Sequence, residues 1–167
     1  MKIRRLVLGV FLVVPLAVAG FAFAGSFDGA KSATARFHDL DQAMAAGWNV
    51  KVADAAGLTC IAQPGVGAMG VHMLNPSLVD GTISATEPEM LVYELKSHGR
   101  MKLVAHEYFV LQSAWTGSSP PSLFGRQFDV TGEPNRYGLP PFYSLHLWAW
   151  KPNPSGILTP WNPRVEC

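Results

Sequence analysis

The chain has 167 residues, 49% hydrophobic and only 15% charged, with a formal net charge of +1 and no run of basic residues. That length suits one domain able to bury a sizeable core, and the thin, balanced charge argues against nucleic acid or an anionic membrane surface as partner. The first 24 residues read as an export leader. Lys2, Arg4 and Arg5 open it, an apolar run covers residues 6–22, and Ala22-Phe23-Ala24 offers a small-residue cleavage site. Cleavage takes Lys plus Arg from 13 to 10 against 12 acidic residues, leaving a chain near −2 with no other segment apolar enough to span a bilayer. Left uncleaved, the leader would act as an anchor instead. The expected organisation is a signal peptide at 1–24, a flexible lead at 25–33, and a single secreted or periplasmic domain at 34–167.

Thr34 is placed to cap a helix over residues 35–46, with Phe37, Leu40, Ala43 and Met44 on one face and Gly47 stopping it. A face that narrow has to pack on a sheet. A short strand is expected over residues 48–52, then a connection to Cys60. Gly65, Gly67 and Gly70 precede a strand over residues 71–75 rather than opening a helix, which argues against a phosphate cradle and for close backbone approach. His72 lies in that strand, and Pro76 ends it.

Residues 89–111, EMLVYELKSHGRMKLVAHEYFVL, read as a hairpin. By period two its second arm carries Met101, Leu103, Ala105, Glu107, Phe109 and Leu111 on one side, and Lys102, Val104, His106, Tyr108 and Val110 on the other. The first is the core side, so Glu107 needs a proton, a cation, hydrogen bonds or a metal. An odd-length turn within residues 96–100 sets Leu95 opposite Met101, Tyr93 opposite Leu103 and Glu89 opposite Glu107. An even-length turn sets Met90 opposite Glu107 and turns Glu89 away. His98, in the turn, and His106, on the other side from Glu107, read as exposed.

Residues 112–141 are rich in Pro, Gly and Ser, but Trp115, Phe124, Phe128 and Tyr137 argue for packing against the body. Residues 142–150, FYSLHLWAW, form the last strand, with Phe142, Ser144, His146, Trp148 and Trp150 on one aromatic face. The proline-rich tail crosses the sheet to Cys167, which pairs with Cys60 in an oxidising compartment. The resulting fold class is α+β, a mainly antiparallel sheet or small open β-barrel with one N-terminal helix packed on it.

Two imidazoles and one or two carboxylates, His72, Glu89, Glu107 and His146, form a candidate metal site for one divalent transition metal. Their scattered spacing is not a motif. The alternative reading makes Glu107 a satisfied buried group, paired with Arg126 or Arg136 or hydrogen-bonded by Tyr93 or His146. A second reading is a non-catalytic module binding an apolar or sugar ligand on a Trp-rich face, with Tyr93, Trp148 and Trp150 as ligand-binding residues. A third is a carboxylate-pair hydrolase, since Glu89 and Glu107 on neighbouring strands can approach the ~5 Å separation of retaining glycosidases. Whether the chain is an enzyme stays open.

The segments TARFHDLDQAMAAGW over residues 34–48, MGVHMLNP over 69–76 and WNPRVEC over 161–167 together resemble a family of exported bacterial proteins with no assigned activity. The resemblance spans most of the chain beyond the leader. It implies export and a single domain, and it transfers no catalytic residue and no substrate.

Overall fold

The computed structural model describes residues 26–167, so the signal peptide expected at 1–24 lies outside the described residues. The strands in chain order are β1 (Val50–Lys51), β2 (Cys60–Gln63), β3 (Gly67–Leu74), β4 (Met90–Leu95), β5 (Met101–Leu111), β6 (Ser122–Leu123), β7 (Arg126–Gln127), β8 (Asp129–Thr131) and β9 (Phe142–Leu147). Seven of them make one antiparallel sheet in the order β1-β3-β4-β5-β9-β8, with β2 also paired to β3, while β6 and β7 form a small hairpin of their own. The sheet is open, and a helical segment packs on one face of it, as the α+β pattern predicts.

That segment starts earlier than the sequence pattern suggests. Ser26 caps α1 (Phe27–Thr34) by accepting the Gly29 N–H at 3.0 Å, and a 3₁₀ turn over Ala35–His38 continues it. The lead expected to be flexible over residues 25–33 is therefore helical from Phe27, because Ala30 is buried against the sheet. Thr34, expected as a cap, closes α1 instead, its hydroxyl donating to the Ala30 carbonyl at 3.1 Å. Asp39 interrupts the expected 35–46 helix with extended backbone and caps a separate α2 (Leu40–Ala45). Gly47, at φ +108, ends it as predicted.

The two sheet faces have distinct cores. Phe37, Val71, Met73, Leu91, Tyr93 and Leu103 pack together under the helices, continued by Ala30, Tyr108, Leu145 and Leu147. The opposite face holds Val92, Val104, Ala105, Trp148 and Val165, then Met90, Phe109 and Phe142. The C-terminal tail crosses this second face, where Asn162 bridges to Ala68 and a disulfide joins Cys167 to Cys60 across 107 residues.

The hairpin combines both expected registers. Near the turn Leu95 faces Met101 and Tyr93 faces Leu103, the odd-turn pairing, closed by the Lys96 N–H on the Arg100 carbonyl at 2.7 Å. A β-bulge between Val92 and Tyr93 on β4 then absorbs one residue of β5, so Val92 faces Ala105, Leu91 faces His106 and Met90 faces Glu107. Bulges place two residues of one strand against one of its partner, so strict alternation fails there. Val104 and Ala105 both join the tail-side core, and Leu103 and Glu107, expected on one side, end on opposite faces. His106, expected to be exposed, is buried on the helix side with Nε2 2.7 Å from the Thr34 hydroxyl.

Candidate metal centre

Three strands bring one site together on the tail-side face. His72 comes from β3, Glu107 from β5 and His146 from β9, with His146 directly opposite Glu107 in the ladder. Glu107 lies between the two imidazoles. His72 Nε2 is 2.8 Å from its Oε2, His146 Nδ1 is 3.6 Å from its Oε1, and one ligand atom from each residue lies within 4.8 Å of the others. All three residues are buried.

The His72 contact has the length of a charge-assisted hydrogen bond but not its alignment, and Nε2 has no hydrogen-bond partner among the described residues. Two donor atoms that close, not pointed at each other, are disposed as ligands of a shared cation are. Donors about 2.1 Å from one ion lie roughly 3.0 Å apart at an octahedral angle and about 3.4 Å apart at a tetrahedral one. The observed 2.8 and 3.6 Å bracket those values.

The electrostatics suit that role. Burial opposes ionisation of Glu107, but the close imidazoles of His146 and His72, with Ser144 beside them, outweigh it and pull its pKa down to about 2. Burial lowers His146 to about 4 despite the pull of Glu107, so at neutral pH its imidazole is uncharged and its lone pair available. The set is then a carboxylate with a neutral imidazole and His72 beside it, matching the two-histidine, one-carboxylate pattern of transition-metal sites with open positions.

His72 and Glu107 line a cavity of about 30 Å³, with space for water. Val52, Ile61, Leu139, Phe109 and Phe142 make its apolar wall. Tyr137 also lines it, its hydroxyl pushed up to about 12 chiefly by burial and then by the Glu107 charge. Tyr137 is reached only through the long 112–141 connection, and no periodicity in that segment signals its position.

The remaining expected site residues lie elsewhere. Glu89 is buried, but it stands apart from the ligand cluster because the bulge sets Met90 opposite Glu107. It accepts the Phe109 N–H at 2.8 Å, and burial raises its pKa to about 8, which keeps it protonated at neutral pH. The two carboxylates therefore do not face each other across the β4–β5 ladder, as the hydrolase reading expects. Tyr93 lies in the helix-side core and donates its hydroxyl to the Phe37 carbonyl at 2.7 Å. Trp148 is buried on the tail side, stacked 5.5 Å from His146, while Trp150 packs with the helix-side core 4.4 Å from His38. Regular strand structure ends at Leu147, so the aromatic alternation breaks there and the three residues share no platform. Arg126 and Arg136 pair with Asp129 and Asp54 at 2.9 Å each, which leaves Glu107 to the histidines.

The chain matches no known protein family, no curated protein and no solved structure.

One buried acid was missed. Glu94 lies between Lys96, at 2.6 Å, and Lys151, and ties the hairpin to the tail. Only the folded tail brings Lys151 to it.

Proposed function

We propose that this chain is an exported domain that binds one divalent transition metal through His72, Glu107 and His146, with open coordination positions facing the apolar cavity. The observation that carries the reading is the convergence of a depressed-pKa carboxylate and two imidazoles, with His72 Nε2 close to Glu107 but unaligned for a hydrogen bond. A buried anion beside two imidazoles is costly to hold without a cation, and a bound metal converts that cost into folding stability. Export is supported by the leader-like residues 1–24 and by the Cys60–Cys167 disulfide, a bond that persists in oxidising compartments. Among the described residues no helix is long and apolar enough to cross a membrane. The family resemblance of residues 34–48, 69–76 and 161–167 belongs to the same proposal.

The test is elemental analysis and Co(II) titration of protein purified without a histidine tag. Wild type is expected to bind close to one metal per chain with a visible Co(II) spectrum, and His72→Ala and Glu107→Gln are each expected to lose affinity by about tenfold or more. Wild type that remains metal-free after reconstitution sinks the reading and leaves Glu107 as a histidine-satisfied structural acid.

A further inference from the structure

The cavity lined by His72 and Glu107 carries two thioethers in its wall. Met69 and Met90 both line it together with His72 and Glu107. Met90 stands directly opposite Glu107 in the β4–β5 ladder. Met69 lies at the β2–β3 bulge, where Ile61 pairs with Gly70 and Ala62 with Ala68, leaving Met69 out of the register. Gly70 makes that bulge possible: at φ +110, a Cβ on it would come within 2.6 Å of the Tyr93 carbonyl oxygen. The Met69 sulfur is held in place by the Tyr137 hydroxyl, which donates to Sδ at 3.8 Å. A thioether has a second lone pair, so this contact orients the sulfur without using it up.

We propose that the site is a copper site, with Met69 and Met90 supplying soft sulfur donors beside His72, His146 and Glu107. This rests on the metal reading given above and goes further by naming the metal and two more ligands. Thioethers favour Cu(I), imidazoles serve both copper oxidation states, and a carboxylate suits Cu(II), which also binds N and O donors more tightly than the other first-row divalent ions. A zinc site gains nothing from a thioether wall. Leu or Ile would fill the same space equally well, and the rest of the cavity wall is aliphatic or aromatic.

The experiment compares Cu(I) and Zn(II) on one protein. Wild type is loaded with Cu(I) under ascorbate, its affinity is measured against a colorimetric Cu(I) chelator, and X-ray absorption reads the donor atoms. Sulfur is expected among the donors. The Met69→Leu/Met90→Leu double variant is expected to lose that sulfur and about tenfold or more in Cu(I) affinity, with Zn(II) affinity unchanged. Donor atoms in wild type that are nitrogen and oxygen only overturn the proposal, as does a double variant that keeps full Cu(I) affinity. In either case Zn(II) binding sensitive to His72→Ala leaves the underlying metal site standing. Should neither Cu(I) nor Zn(II) bind wild type, the metal reading falls and this one with it. The wild-type absorption measurement decides the matter even if the variant folds poorly.

Discussion

Glu89 offers the cleanest quantitative check on how this core treats acids. Its side chain is 1% exposed, and burial lifts its pKa from 4.5 to about 8. The folded state therefore holds a proton that the unfolded chain releases above pH 4.5. The associated stability is fully present below that pH and is lost as pH rises toward 8. At 1.36 kcal/mol per unit, the loss between pH 5 and pH 7 is about 3 kcal/mol, a large share of the ~5–15 kcal/mol that stabilises a typical domain. Glu89→Gln keeps an oxygen for the Phe109 N–H and cannot ionise. Urea unfolding of both proteins, with chelator present, is expected to give similar stabilities at pH 5 and a variant about 3 kcal/mol more stable than wild type at pH 7. Taking the difference cancels His146, which works in the opposite direction: its lowered pKa makes stability rise with pH between about 4 and 6.5. A variant-minus-wild-type difference that stays flat from pH 5 to 8 would refute the claim that Glu89 is held protonated.

Two further outcomes are expected. Reducing the Cys60–Cys167 disulfide, or replacing both residues with Ser, releases a 107-residue constraint and is expected to cost about 5 kcal/mol on the chain-entropy model, read as a fall in thermal midpoint; unchanged melting would show that the bond contributes nothing. Thr34→Val removes the hydroxyl 2.7 Å from His106 Nε2, leaves a buried imidazole nitrogen unpaired, and is expected to destabilise by about 1–3 kcal/mol in chemical denaturation, whereas a loss within error would mean that the helix-side contact is incidental.

Much of the fold was legible because its signals are local. The polar Lys96–Arg100 turn between two apolar arms marked the hairpin, Gly47 marked the end of the helical region, and two cysteines behind a leader-like start implied their pairing. The helix start was misplaced because Ala30 and Thr34 pack on the sheet, and tertiary burial outweighs a capping preference worth about 1 kcal/mol. The face of Glu107 was misassigned relative to Leu103 because a bulge reverses alternation without any residue type that announces it.

The sequence by itself determined that an acid and two histidines sit in apolar strands, where each must find a partner, because desolvation penalties follow from residue type and pattern alone. Which partners they found was decided only in three dimensions. One inserted residue in β5 turned Glu89 out of the cluster, the order β3-β4-β5-β9 brought His72 and His146 to Glu107, and the long connection carried Tyr137 to the Met69 sulfur. Strand order and register depend on contacts far apart along the chain, so they become readable only once the sheet has formed.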